Sequence, residues 1–529
     1  MRFWAKSRLI FNAFRDNAKA SIRQVAGQTG LSKSSVHRLG QAIARRNCHP
    51  ESWLWETEEG RRWFIRLVVA VLYVFGLKRG VGAETLSEFF VRLHLERHVG
   101  CSPSAVRGMM EELERVILAT AEAWEGEGIA GGETRPIIGA VDETFLERMM
   151  VVFMDLVSGY LVLEEVADDR TYETWYTLVE ARLEALSVRV LYLVSDRAKA
   201  LVKLAETGLD CLSIPDLFPL IHDLVKSYAL AIGRRLHQAR RDLDHAQKHL
   251  CQCLVSPSRA PTLQQAQARV EACVAEVTRW ESVRLAYRRH LERVSLLVHP
   301  WRLVDSTRQS SQEVERQLHA EINALAALVE THGLPVKPTT LAKVRKQLAG
   351  VSTLLDFWWQ GVEHDLEQVI LTPRWRNWVE EALLPLTYWH LHVSPTRCPS
   401  RKAQLLAALK AVQDTFDRHP ITQQLAPEVL EGWQRWASEQ AKAFQRASSA
   451  VEGRNGSLSQ MHHNHRGLPK RRYKVWTVLH NFDCRASDGT TPASRFFRQE
   501  FPDLFDTVLS HIEDLPRPRE RKQIMARSH

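Results

Sequence analysis

IIGAVDETF (137–145), MMVVFMDLV (149–157) and YLVLEEVA (160–167) are three successive runs of β-branched, aromatic and large apolar residues. Such composition favours strands over helices, and the tight turn Ser158-Gly159 between the last two predicts antiparallel pairing. An amphipathic helix is expected from Thr171 to Leu186. It is followed by VRVLYLVSD (188–196), whose near-continuous apolar run suits a strand covered on both faces. A helix over 197–207 and a further strand within CLSIPDLFPLIHDLVK (211–226) complete the order β, β, β, α, β, α, β. This is an α/β sheet whose first and fourth strands each end in an aspartate, Asp142 and Asp196.

Outward from this sheet the chain reads as helical. The Gly-rich segment EGEGIAGGETRP (125–136) marks a boundary before it. At the N-terminus, IRQVAGQTGLSKSSVHRLGQAIARR (22–46) has the pattern of a helix-turn-helix. Ile22, Val25 and Ala26 form one apolar face, Gly30 breaks the helix, and Ser32 caps a second helix carrying Val36, Leu39 and Ile43. The polar face of that second helix would offer Lys33, Ser34, Ser35, His37 and Arg38 to a DNA major groove. A helical hairpin without any DNA role is the plain alternative. A weaker motif of the same kind, CSPSAVRGMMEELERVI (101–117), is better explained by ordinary helix packing. Beyond the sheet, amphipathic runs at 232–253 and 262–298, separated by SPSRAPT, predict a coiled-coil-like hairpin. Trp358, Trp359, Trp375, Trp378 and Trp389 mark later helices. The expected division is 1–50, a helix-turn-helix domain; 51–130, a helical domain and possible second DNA-binding element; 137–227, the first part of the α/β core; 228–440, an all-helical insertion; 441–485, the last part of the core; and 486–529, a basic tail.

Bulk properties narrow the class. The 529 residues carry a net charge of +9, unevenly spread. Residues 1–50 hold ten Lys or Arg against Asp16 alone, and residues 446–485 hold eight against Glu452 and Asp483. Residues 101–200 are acidic, with nineteen acids and nine bases. Basic flanks around an acidic centre suggest a polyanion held at the sides and a cation held in the middle, although ordinary variation in surface charge produces similar patterns. The longest apolar stretch, 65–77, contains Arg66 and is too short for a bilayer span, and no signal peptide opens the chain, so a cytoplasmic protein without a membrane partner is expected. Eight cysteines without any CxxC pair argue against a disulfide framework or zinc finger.

Phosphodiester cleavage by two Mg²⁺ ions needs hard oxygen ligands on a rigid frame. Asp142 and Asp196 at strand ends would converge if their strands are neighbours, and Glu452, opening a basic segment, can supply a third carboxylate. Each acid taken alone is as easily a cap or turn residue. Glu143, Asp155, Asp168, Asp169 and Asp223 compete, Asp155 as the acid of the DLVSG turn and Asp168 and Asp169 as solvated loop residues. The histidines 462, 463 and 465 could be read as zinc ligands but lack an identifiable fourth partner.

These residues resemble the bacterial insertion-sequence transposases with an Asp, Asp, Glu triad on an RNase H-like core. The likeness runs from VDETF through SDRAKAL to VEGRNGSLSQMHHNHRG, covering about 137–226 and 446–485. It implies Asp142, Asp196 and Glu452 as catalytic and metal-binding residues, with Mg²⁺ as the cofactor and Mn²⁺ able to substitute. It also implies that 228–440 is an insertion into the core. Asn455, Arg466 and Gly467 complete the last motif, while His222 and Lys226 take the place of a family His and basic residue on the strand after the second Asp. The implied DNA contacts are His222, Lys226, Arg454, Asn455, Arg466, Lys470, Arg471 and Arg472. The usual lysines after the glutamate are replaced by Met461, His462, His463 and His465. The implied partners are double-stranded DNA at the element ends and target, and a second copy of the chain or a larger synaptic assembly, in a nucleoid-associated setting with no small-molecule substrate. The implied activity is Mg²⁺-dependent cleavage and strand transfer at terminal inverted repeats. A transposase-derived DNA-binding regulator that no longer cuts, or an RNase H-like nuclease, are the alternatives.

Overall fold

The computed structural model describes residues 3–130, 132, 134–255, 260–369, 371–445, 449–465 and 471–518. Three short helices open the chain: α1 (Phe3–Asp16), α2 (Ile22–Thr29) and α3 (Lys33–Arg46). They enclose a small core of their own, built from Ile10, Phe11, Val25, Val36, Leu39 and Ile43. Ser21 caps α2 in a reciprocal capping box with Gln24, and the Ser32 side chain accepts from the Ser35 amide to start α3. Between them Gly30 adopts φ +67, a left-handed conformation that glycine reaches without a Cβ clash.

α4 (Glu58–Val71), α5 (Ala83–Arg92) and α6 (Pro103–Ile129) form the next layer. Within the weaker motif at 101–117, residues 103–117 are one uninterrupted part of α6, and plain packing accounts for its apolar residues.

The sheet then follows as β1 (Arg135–Phe145), β2 (Met149–Asp155), β3 (Leu161–Ala167), α7 (Tyr172–Leu186), β4 (Val188–Ser195), α8 (Lys199–Lys203) and β5 (Leu212–Pro215). Its spatial order is β3-β2-β1-β4-β5. β1, β2 and β3 are antiparallel neighbours, while β4 lies parallel to β1 and β5 parallel to β4. Every residue of β2 is buried, as expected for a strand covered on both faces. At Gly139 in β1, a Cβ would meet the Phe153 ring and Leu193 below 3 Å, so a side chain there would part the centre of the sheet. β1 runs three residues beyond Asp142 because its hairpin with β2 continues to Phe145↔Met149, whereas its register with β4 stops at Ala140↔Val194. Asp142 is therefore near the end of the strand's covered half rather than at its last residue.

After β5 the chain leaves the sheet for α9 (Leu217–Val255) and α10 (Ala260–Leu297), which pack along each other as the predicted hairpin. α11 (Ser311–His332), α12 (Pro338–Glu367), α13 (Pro373–Trp378), α14 (Leu384–Val393), α15 (Pro399–Arg418), α16 (Pro420–Gln424) and α17 (Pro427–Ala443) complete the helical excursion. Trp301, Trp358, Trp359, Tyr388 and Trp389 are buried together there, with Trp358 and Trp359 rings 4.8 Å apart. These tryptophans fill a core.

The chain returns to the sheet as α18 (Ser449–His465), lying against β1 and β2, and α19 (Arg472–Asp483), lying against β3 and α6. The expected tail from 486 is in large part folded: α20 (Pro492–Phe497) packs on α19, and α21 (Leu504–Ser510) on α4 and α6. Phe496, Phe497, Leu504 and Val508 are buried, which supplies the apolar reason. Residues 519–529 lie outside the described residues. No helix among the described residues is long and apolar enough to cross a membrane.

Candidate active site

β1 is buried from Ile137 to Val141 and becomes half-exposed at Asp142, so the strand carries this carboxylate from the core to its edge. Continuing the β1–β4 register two residues past Ala140↔Val194 sets Asp142 level with Asp196. Continuing the β4–β5 register one residue past Ser195↔Pro215 sets Asp196 level with Asp216. Three aspartates thus stand at one height, Asp142 within β1 and the other two at the first residue past β4 and β5. The main chain holds the last of them, the Asp216 amide donating to the Ser195 carbonyl at 2.8 Å.

Each acid is fixed differently. Asp142 Oδ1 accepts from the Glu143 amide at 2.9 Å, and its Oδ2 accepts from Asn455 Nδ2 at 2.7 Å. Asp196 is exposed, and its Oδ1 accepts from the Ala198 amide at 2.8 Å. The intervening Arg197 sits at φ +60, a conformation uncommon for a side chain of that size and concentrated at functional turns. Asp216 is buried, with only 3% of its surface exposed.

Glu452 arrives from the first turn of α18. The helix is tied to the sheet by Arg454, whose guanidinium makes two 2.9 Å hydrogen bonds to Glu164 of β3, both side chains being buried. One residue on, Asn455 makes its contact with Asp142. These two anchors turn the Glu452 side of α18 toward the strand ends.

The charges sense one another. Burial raises the Asp142 carboxyl above its ordinary value, and the negative charges of Asp196 and Asp216 push the same way, against hydrogen bonds from Glu143 and Asn455. Glu452 is raised by burial, then by Asp216 and Asp142, with His222 opposing. Glu143 is raised by burial and by Asp196 and Asp142. Like charges gathered among partly buried groups are a standing cost that a bound cation would relieve. The donors are all hard carboxylate oxygens, which suit Mg²⁺ or Mn²⁺ rather than zinc. Among the described residues no three such side chains already stand in a finished ligating cluster, so rotamer adjustment would accompany binding.

The other predicted residues divide into groups. His222 lies near enough to Glu452 to influence it, but on α9 rather than on a strand, because β5 ends at Pro215. Lys226 follows one turn later on the same helix and is exposed. Arg454 is buried against Glu164, so it positions α18 and is not available to a phosphate. Arg472 pairs with Glu114 of α6 and is likewise committed inside the protein. Arg471 is exposed. Arg466, Gly467 and Lys470, and the side chain of His465, lie outside the described residues. Lys33, Ser34, His37 and Arg38 are exposed on α3, with Ser35 half-buried beside its cap.

Among the competing acids, Asp155 is spent on the hairpin turn. Its Oδ2 accepts from the Ser158 amide and hydroxyl, and its Oδ1 from the Ile138 amide at 3.2 Å. Asp168 pairs with Arg148 at 2.8 Å, and Asp169 accepts from Thr171 and Thr174 at the start of α7. The Asp223 side chain lies outside the described residues. Asp216 was not among the sequence-derived candidates. Its signal was nevertheless present: SIPD repeats the strand-then-aspartate pattern of LVSD.

Residues 379–524 match the model of a family of unknown function, DUF6399. The matched part includes Glu452 and its helix but neither Asp142 nor Asp196. No curated protein and no solved structure matches the chain.

Proposed function

We propose that this chain is a DDE-type DNA transposase, with an RNase H-like core interrupted by the helices between β5 and α18. The observation that carries the reading is the levelled row of Asp142, Asp196 and Asp216 on neighbouring parallel strands, with Glu452 held over it by α18. Support comes also from the mixed sheet with its carboxylates at one end and from the capped two-helix unit α2–α3, whose exposed Lys33, Ser34, His37 and Arg38 suit a major groove.

In this reading Asp142 is the central ligand, flanked by Asp196 on one side and Glu452 on the other. Two Mg²⁺ ions, when bound, would activate a water or a DNA 3′-hydroxyl and steady the leaving oxygen. Asn455 holds the Asp142 carboxylate in one orientation through Oδ2. Arg454 and Glu164 fix the height of α18, and with it the reach of Glu452. Lys226 and Arg471 are exposed, and in this reading they would meet backbone phosphates, which position the duplex without reading sequence.

The test is cleavage of labelled DNA carrying the element's own ends, with Mg²⁺, comparing wild type with Asp142→Asn, Asp196→Asn and Glu452→Gln. Nicking at the element boundary by wild type, lost in each variant while DNA binding survives, is the expected result. Wild-type binding without any nick would favour a regulator, and nicking without joining of the 3′ end to a second duplex would favour a nuclease.

A further inference from the structure

Away from the carboxylate row, the stem of the α9–α10 hairpin carries a cleft of about 330 Å³ whose polar lining is wholly basic or neutral. α9 contributes Gly233, His237 and Arg240, spaced so that they share one face. α10 contributes Arg284, Tyr287 and Arg288. Arg284 and Arg288 are one helical turn apart, where like charges repel unless an anion lies between them. Neither shows an ion pair among the described residues, whereas Arg240 is already bonded to Glu281 at 2.7 Å.

The second observation concerns Tyr287. Only 4% of this residue is exposed, its ring stacks on Tyr228 at 5.5 Å and 6°, and its hydroxyl is buried with no hydrogen-bond partner among the described residues. A buried hydroxyl left unpaired is costly, and such groups in folded proteins are nearly always met by a partner. Burial holds the phenol protonated, with its pKa pushed up to about 12 although Arg288 acts the other way, so it remains a donor at neutral pH. At Gly233 an added Cβ would meet nothing within 4 Å, which leaves the α9 side of the cleft open.

We propose that this cleft binds a phosphate group, with Arg284 and Arg288 pairing to its oxygens, His237 at its edge and the Tyr287 hydroxyl donating from the floor. Guanidinium forks match phosphate oxygens in pairs, and a neutral hydroxyl adds a donor without adding charge. The phosphate belongs either to a DNA backbone lying along the hairpin or to a free anion. The site stands apart from the carboxylate row and does not depend on the transposase reading.

The test uses the full chain and the variants Tyr287→Phe and Arg284→Gln/Arg288→Gln, each checked by circular dichroism. Affinity for a short labelled duplex is followed across a salt titration, and inorganic phosphate is titrated separately by calorimetry. A backbone site predicts that the double variant loses roughly one to two units of the salt slope, about 0.9 per phosphate contact. Tyr287→Phe then weakens duplex binding severalfold with little change of slope. A free-anion site predicts phosphate binding by wild type that both variants lose, with duplex affinity unchanged. If folded Tyr287→Phe binds both duplex and phosphate as wild type does, the proposal is overturned, whether or not the double variant folds.

Discussion

Arg454 and Glu164 form the buried ion pair that most directly sets the candidate site. Removing one partner strands the other charge away from water, so Arg454→Ala is expected to cost about 3–5 kcal/mol in chemical denaturation. Replacing both by apolar residues of similar volume should recover much of that stability while leaving Glu452 less well placed. Asn455 acts at closer range. Its amide orients Asp142, and Asn455→Ala should lower metal affinity or cleavage by about 10–100-fold, the usual consequence of losing a group that supports a ligand. The raised carboxyls of Asp142, Glu143 and Glu452 predict a pH dependence whose sign follows from linkage. Between the ordinary carboxylate range and their raised values the folded state holds more protons than the unfolded chain. Their contribution therefore destabilises progressively as pH rises through that window and remains unfavourable at neutral pH. Asp142→Asn should accordingly raise the melting temperature at neutral pH and have little effect below the window. A melting temperature lowered at neutral pH would refute the repulsion argument.

At the scale of elements, α3 depends on its start. The Ser32 side chain meets the Ser35 amide, and losing such a cap costs about 1 kcal/mol, so Ser32→Ala should loosen the α1–α3 unit by that amount. Because this unit has a separate core, the loss should appear as an early transition in hydrogen exchange rather than as a shift of the whole protein. Gly30→Ala should act in the same direction, since an alanine at φ +67 is strained even though space for its Cβ exists. If α3 also meets DNA, both substitutions reduce duplex binding without touching the carboxylate row.

For the whole molecule, the hairpin beyond its stem is a separable arm. Its buried residues there, Ala246, Ala266 and Cys273, are small groups at the seam between α9 and α10, while Leu254 and Val255 are exposed. Replacing 243–276 by a short Gly/Ser linker should leave the sheet, its carboxylates and the tryptophan-rich core folded, as judged by near-ultraviolet circular dichroism. Sedimentation of the same variant tests whether the arm pairs subunits: loss of self-association would support that role, and an unchanged profile would end it.

Much of the central architecture could be read along the chain, because strands and helices announce themselves through local periodicity. The three opening strands, the covered strand before Asp196, the capped helices around Gly30 and the long hairpin all follow from neighbours within a few residues. What sequence could not decide depended on which distant elements pack together. Strand order set Asp142, Asp196 and Asp216 at one height, and the last of these does not stand out along the chain because SIPD is a short strand whose neighbour is known only from the sheet. Arg454 and Arg472 read as free cations in a basic segment until β3 and α6 placed Glu164 and Glu114 against them. The residues after 486 read as a tail because no long periodic run spans them, yet Phe496, Phe497 and Leu504 find a surface already built by α6 and α19. Local chemistry specified the elements; burial and pairing, which join residues hundreds of positions apart, decided which charges face solvent and which hold the fold.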